Sequence, residues 1–157
     1  MNDTSEGASV GAESAPAATV FRFEPRPLTG RKQAQLLCRS DLMVAAIQTV
    51  GDGGETNLHM HKRLDGFWFV LSGRATFYTT GDEVIAELGP REGVLVPRGF
   101  PYWFERTGDE HLEILQVEAS SALLRNMDDV ISDRVDIATS ADILERQGEV
   151  QIFGSDR

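Results

Sequence analysis

The sequence has only one cysteine, Cys38, among its 157 residues. A single thiol cannot form an internal disulfide, which excludes a disulfide-stapled scaffold and agrees with a reducing cytoplasm. No run of about 18 uncharged apolar residues occurs, so no transmembrane helix is predicted. The N-terminus lacks a basic segment followed by an apolar one, so no secretory signal is predicted either. We therefore expect a cytoplasmic protein that has no membrane partner.

Basic residues are also scarce. Lys and Arg number 15 against 25 Asp and Glu, which gives a formal net charge of -10 at pH 7, and the Arg residues are scattered along the chain. An acidic surface of this kind disfavours nucleic-acid backbones and anionic membranes as partners. The chain is the size of one domain and can bury roughly 70% of its unfolded surface. These features favour a single domain, and they argue against a nucleic-acid partner.

Composition divides the chain into three parts. Residues 1–19 contain no Lys, Arg or aromatic residue. They cannot bury enough apolar surface to offset the entropy lost on ordering, so we predict a disordered tail. Residues 20–119 hold a predicted β-barrel, and residues 120–157 are predicted to form an extension of short helices and a strand that packs on it.

Short β-rich segments alternate with Gly, Asp and Pro in the middle of the chain. Turn signals at roughly every 8–12 residues, with no long helix between them, predict an all-β sandwich or barrel. The predicted strands are LMVAAIQTV, TNLHMH, GFWFVLSG, ATFYTT, EVIAEL, GVLVP, YWFERT and HLEILQVEA.

The extension has helical rather than strand-like spacing. Ser121 is predicted to cap a helix that carries Leu124, Met127 and Ile131 on one face. Ser140 is predicted to cap a second helix, and the final VQIF is predicted to be an edge strand. Both helices would lie on the outside of the barrel.

In the segment GGETNLHMHKRLDGFWFVLSG a His-x-His pair lies between the first and last glycines, and a Pro-x-Gly turn follows later. In order and spacing these features resemble the two motifs of the cupin superfamily. The resemblance covers about half of the chain and implies an RmlC-like cupin jelly-roll barrel, or double-stranded β-helix, that forms a homodimer. It does not imply one function, because this fold hosts enzymes, storage proteins and sensors. The residues that carry it are Gly53, His59, His61, Gly73, Pro97, Gly99 and Tyr102.

The departures from the family pattern bear on metal binding. Metal-binding cupins usually hold their ion with two His and a Glu of the first motif and a His of the second. Here Gly66 stands in the place of the Glu and Tyr102 in that of the second-motif His, which leaves His59 and His61 as candidate metal ligands. Asp65 is one residue away, and strand alternation turns it from the pair unless a bulge intervenes. A secure site takes at least three protein ligands, so the expectation stays open between one divalent transition metal (Fe, Zn, Ni or Mn) and none.

Alternation along the strands also predicts what faces the interior. His59 and His61 point to the same side of their strand, and Met60 points to the other. A mostly apolar cavity with a few convergent polar groups is typical of a small-molecule site. The structural alternative is that the His pair is a hydrogen-bonded remnant and the aromatic residues are plain core. The candidate catalytic residues are His59, His61 and Tyr102, and the candidate ligand-binding residues are Gln48, Asn57, Trp68, Phe104 and Gln116.

Three functions fit these residues. The first is an enzyme that acts on a carbonyl- or sugar-like metabolite by proton transfer, as an isomerase, epimerase, cyclase or dehydratase. His59 or His61 would be the base and Tyr102 would donate a proton or stabilise an enolate. The second is a metal-dependent cupin dioxygenase, which needs a third protein ligand. The third is a cupin that binds a small molecule without turning it over. We favour the first hypothesis over the third, and both over the second.

Overall fold

The computed structural model describes residues 15–123, 125–137 and 150–153. Residues 15–31 form no helix or strand, so regular structure begins later than the predicted start near Val20. The elements are β1 (Lys32–Arg39), β2 (Met43–Val50), β3 (His59–His61), β4 (Leu64–Ser72), β5 (Arg74–Tyr78), a 3₁₀ turn (Thr80–Asp82), β6 (Val84–Leu88), β7 (Gly93–Val96), β8 (Trp103–Thr107), β9 (Leu112–Ser120), α1 (Met127–Asp133), β10 (Arg134–Asp136) and β11 (Val150–Phe153).

The strands form two layers. The first is a six-stranded sheet in the order β11-β1-β2-β9-β4-β7, antiparallel except where β11 pairs with β1. The second contains the sheet β6-β5-β8 and the pair β10-β3. A single bridge between His59 and Tyr102 joins these two pieces. The all-β fold with little helix is therefore confirmed, and its two-layered sheet arrangement is that of the cupin jelly roll.

The core lies between the two layers. In β4, burial alternates from Leu64 to Val70, so one face of the strand is buried and the other carries the exposed Phe67. Trp68 from the first sheet packs against Phe104 from the second, with ring centroids 5.0 Å apart. Phe77 stacks on Phe104 at 4.9 Å. Burial of these large aromatic residues is the main apolar contribution to the packing of the two sheets.

Gly73, the last glycine of the first motif, makes the tight turn between β4 and β5. Its φ is +75°, in the left-handed region that glycine adopts without strain. A Cβ at this position would lie 2.5 Å from the backbone oxygen of His111. The motif therefore requires glycine here for two reasons, the backbone conformation and the close approach of a neighbouring loop.

The extension departs from its predicted form. The helix begins at Met127 and its cap is Asn126, whose side chain accepts a hydrogen bond from the backbone N–H of Asp129 at 3.1 Å. Ser121 is not the cap, because β9 runs on to Ser120 and carries the chain past the predicted start. Leu124 and the predicted second helix at Ser140 lie outside the described residues, whereas VQIF forms the edge strand β11. Within the described part of the chain, no helix has the length and apolar character needed to span a membrane.

Candidate functional site

A cavity of about 250 Å³ lies between the sheets and reaches α1. Five of the predicted site residues line it: Gln48, His59, His61, Trp68 and Gln116. Three others, Asn57, Tyr102 and Phe104, are buried but lie outside the lining. The wall also includes charged residues that were not predicted to belong to the site: Lys32, Glu118 and Arg134.

His59 is held in one tautomer by its own strand. Its Nδ1 lies 2.7 Å from the backbone oxygen of Asn57. Because a carbonyl oxygen only accepts, Nδ1 carries the proton and Nε2 keeps its lone pair. Burial and the charge of Arg134 lower the pKa of His59 to about 3, and the hydrogen bond to Asn57 opposes them. His59 is therefore a neutral imidazole at any physiological pH.

His61 contacts the carboxylate of Glu118, which was not among the predicted site residues. Its Nε2 lies 3.3 Å from Oε1 of Glu118. The same oxygen accepts a hydrogen bond from Nε2 of Gln116 at 2.6 Å, and the Gln116 side chain in turn accepts one from Gln48. These side chains form a continuous polar chain across β2, β9 and β3, and they fix the orientation of the carboxyl group.

The pKa values of both members of this pair are shifted in the direction that favours the neutral form. Burial raises the pKa of Glu118 to about 7, although the Gln116 hydrogen bond and the charge of Arg134 oppose the rise. Burial and Arg134 lower the pKa of His61, with Asp133 acting in the opposite direction. Near neutral pH, the free energy of moving a proton on or off Glu118 is therefore small.

Asp133, at the end of α1, anchors this part of the wall. It is 1% exposed and accepts hydrogen bonds from the backbone N–H groups of Arg63 and Leu64 and from Nε of Arg63 at 2.9 Å. Burial opposes its ionisation, but the hydrogen bonds and the charge of Arg63 outweigh burial and lower its pKa. Its Oδ2 lies 3.9 Å from Nδ1 of His61, a nitrogen that makes no hydrogen bond within the described part of the chain.

Arg134 reaches the cavity from β10, directly opposite His61 in the β10–β3 pairing. Its guanidinium bonds Oδ1 of Asn57 and, through Nε, Oδ1 of Asp136 at 2.8 Å. Asn57 also donates to Asp136 at 2.9 Å. The predicted ligand-binding residue Asn57 therefore lies outside the cavity lining and holds a cation that does line it. Its assignment to ligand binding stays a prediction.

Tyr102 pairs with His59 through two backbone hydrogen bonds, and their rings lie 4.5 Å apart. Burial and the charge of Glu118 raise the pKa of Tyr102 above its usual value. The indole of Trp68 acts in the opposite direction and lowers the pKa of Tyr102. Among the described residues, neither the indole N–H of Trp68 nor the hydroxyl of Tyr102 has a partner at hydrogen-bonding geometry. Tyr102 is therefore a neutral phenol that packs against the ring of His59. Its role as an acid stays a prediction from the sequence.

The missing carboxylate of the first motif has a counterpart. A Cβ on Gly66 would lie 3.2 Å from Nε1 of Trp68, so the indole occupies the space beside this position. Glu118 is the cross-strand partner of Gly66 in β9. Asp65 faces away, as alternation predicts, and accepts a hydrogen bond from the backbone N–H of Arg98 at 2.9 Å. Glu118 thus places a carboxylate beside the position of the first-motif Glu, but on the neighbouring strand.

The family resemblance suggests a transition metal, but the residues present supply an incomplete set of ligands for one. The tautomer of His59 suits a metal ligand, because its second nitrogen already donates to a backbone oxygen. The separation of 3.3 Å between His61 and Glu118 would also allow both to ligate one ion. Within the described ranges, however, no three His, Cys, Asp or Glu side chains gather around one point. Tyr102 is not a phenolate, and Gly66 offers no ligand. The residues as placed therefore do not fit a resident metal.

Strand alternation is the signal in the sequence that indicates Glu118. Gln116 is a candidate ligand-binding residue from the sequence, and a residue two positions further along a strand points the same way. Lys32 and Arg134 gave no comparable signal. β1 precedes the region predicted as strands, and β10 lies in the extension.

Comparison with known proteins agrees with this geometry. Residues 46–118 match the family described as Cupin domain. KdgF from Halomonas sp. has a TM-score of 0.59 at 15% identity, over 71% of this chain and 98% of that one. A double-stranded β-helix protein from Klebsiella pneumoniae has a TM-score of 0.56 at 21% identity, over 62% and 80% of the two chains. An RmlC-like cupin from Desulfovibrio desulfuricans has a TM-score of 0.50 at 21% identity, over 62% and 97%. No curated protein sequence matches the chain. At these identities the structural likeness concerns the fold, and with the match over residues 46–118 it shows that this chain has the cupin fold and contains a segment similar to the Cupin domain family.

Proposed function

We propose that this protein is a small cupin enzyme that transfers a proton on a carbonyl-containing metabolite, with Glu118 and His61 as its acid–base pair. The observation that carries the proposal is the buried contact of 3.3 Å between these two side chains on the cavity wall. A carboxyl group whose pKa is close to the working pH can take a proton from carbon and return it without a large free-energy cost.

The proposed step begins with Glu118 ionised. Its carboxylate removes a proton from the carbon next to the substrate carbonyl, and the electron pair moves into the carbonyl to give an enolate. His61 shares the proton through Nε2, and Gln116 keeps the carboxyl group oriented. The positive charge of Arg134 favours the negative charge that develops on the enolate. Return of the proton to another carbon, or to the other face, gives an isomerase or an epimerase.

Deuterium exchange tests this chemistry without knowledge of the natural substrate. The probes are a panel of small 2-oxo acids and short sugars in D2O, with proton NMR following loss of the α-proton signal. We expect the wild-type protein to accelerate exchange in at least one probe. Glu118→Gln and His61→Gln should each slow that exchange by roughly 10²- to 10⁴-fold. His111→Gln is the matched control, because His111 is exposed on a turn and should exchange like the wild type.

Two results would contradict the proposal. Equal rates for Glu118→Gln and the wild type would show that another group moves the proton. No acceleration with any probe, together with binding of a probe, would support the alternative of a cupin that binds a small molecule without turnover. The largely apolar cavity suits that alternative equally well.

A further inference from the structure

Two cationic side chains line the cavity of a chain whose net charge is -10. Lys32 comes from β1 and Arg134 from β10, so they reach the cavity from different layers. After burial, the charge of Arg134 is the next largest cause that lowers the pKa of Lys32. Two like charges that converge on a cavity repel one another, and an anion placed between them would relieve that repulsion.

Lys32 is the more informative of the two. It is only 7% exposed, on the same inward face of β1 as Ala34 and Leu36. Its ammonium lies 5.1 Å from the ring centroid of Phe104. Among the described residues no carboxylate forms an ion pair with it, and Glu55 acts on it only at longer range. A buried cation without a counter-ion is costly, and a contact with one aromatic ring offsets only part of that cost.

The rest of the cavity limits which kind of anion could pair with Lys32. The end next to α1 is apolar, with Leu36, Val44, Ala46, Met127, Val130 and Ile131 on its wall. A volume of about 250 Å³ holds a ligand of roughly ten non-hydrogen atoms, given that a cavity of about 150 Å³ holds benzene. An inorganic anion would leave the apolar end empty.

We propose that the cavity takes a small organic acid, whose carboxylate is bound by Lys32 and Arg134 and whose apolar body lies against α1. This inference rests on the proposed function, because it names the substrate class of the same pocket. On this view Lys32 determines specificity, since it selects the charged end of the ligand, while Glu118 and His61 act on the carbon chain.

Phenylacetate and 2-phenylacetamide are a matched pair of probes. Both have ten non-hydrogen atoms, roughly the capacity estimated above, and they differ in charge. Isothermal titration would measure their binding to the wild type, to Lys32→Met and to Lys62→Met. Met has a similar length without the charge, and Lys62, the other lysine of the chain, is exposed. Thermal unfolding of each variant would confirm that it is folded.

We expect the wild type and Lys62→Met to bind the acid on the order of tenfold more tightly than the amide. Lys32→Met should lose that preference and still bind the amide. Equal binding of acid and amide by the wild type would overturn the inference, and so would a preference that survives in Lys32→Met. Absence of binding by either probe at millimolar concentration would also overturn it. Failure of the charge preference leaves the deuterium-exchange result untouched, so the two proposals fail separately.

Discussion

Replacing Lys32 by Met should make the ligand-free protein more stable, although it removes a charged side chain from the proposed site. Burial and the charge of Arg134 lower the pKa of Lys32 from 10.5 to about 7, with Glu55 opposing them. In the unfolded chain the amine keeps its ordinary pKa of about 10.4. At pH 6 the lysine is charged in both states, so the folded state bears the full cost of burying an ammonium.

The size of the effect follows from the two pKa values. Their separation corresponds to about 5 kcal/mol at about 1.36 kcal/mol for each tenfold change in an equilibrium constant. The unfolded state binds more protons between pH 7 and 10.5, so the stability of the wild type rises with pH across that window. By pH 9 the cost has fallen to about 2 kcal/mol. Met, in contrast, has no charge to bury and its thioether packs well against an aromatic ring.

Urea unfolding at pH 6 and pH 9 measures this. We expect Lys32→Met to exceed the wild type by up to about 5 kcal/mol at pH 6 and by about 2 kcal/mol at pH 9. The charges of Arg134 and Glu55, which face Lys32, are already included in its lowered pKa, and His59 is neutral at both pH values. Lys62→Met should leave the free energy of unfolding within about 0.5 kcal/mol of the wild type at both values. A destabilised Lys32→Met, or a difference independent of pH, would refute the burial argument.

Other variants test separate contacts. Tyr102→Phe should leave the free energy of unfolding unchanged or raise it by up to about 1 kcal/mol, because the buried hydroxyl has no hydrogen-bond partner among the described residues. A large loss of turnover in this variant would support the acid role that the sequence suggested. Asp133→Asn should cost about 2–3 kcal/mol in urea unfolding, because the ionised carboxylate accepts three hydrogen bonds, two of them from Arg63. The stabilisation by ionised Asp133 should be fully present above the ordinary pKa of an aspartate and should be lost as the pH falls through the lowered pKa of Asp133 in the folded state. Equal acid sensitivity of the wild type and Asp133→Asn would count against this account. Gly66→Ala should cost roughly 1 kcal/mol and shift the tryptophan fluorescence, because its Cβ would press on the indole of Trp68; an unchanged spectrum would mean that the indole is free to move. Plasma mass spectrometry of the purified protein should find well below one equivalent of transition metal, and a full equivalent would show that a third ligand exists.

Most strands of the two sheets were predictable because their signal is local. Alternation in GFWFVLSG and HLEILQVEA, with glycine at the turns, predicts β4 and β9 within a few residues of their observed bounds. The inward positions of Gln48, His59, His61, Trp68 and Gln116 follow from the same period of two. The first strand, KQAQLLCR, was missed because half of its inward positions carry small or polar groups, which weakens the pattern.

The charged part of the pocket depends on long-range pairing. β10 has three residues and no signal of its own, yet its pairing with β3 sets Arg134 opposite His61 and Asp136 opposite His59. The two partners are more than seventy residues apart in sequence. Nothing in the residues around the His pair indicates which later segment will lie beside it, so alternation alone cannot supply the cation.

Register explains why the two ends of the cavity carry different chemistry. On the inward face of the six-stranded sheet, Lys32 lies opposite Val50, whereas Glu118 lies opposite Val44 and Gly66. The rows between them carry the amides of Gln48 and Gln116 and the apolar residues of β1 and β2. Alternation determines which side chains face the cavity, but the register between strands determines their order along it. A slip of one residue in the β1–β2 pairing, which already contains a bulge between Leu36 and Cys38, would turn Lys32 out of the cavity. The separation of Lys32 from Glu118 along the cavity is thus a property of strand pairing.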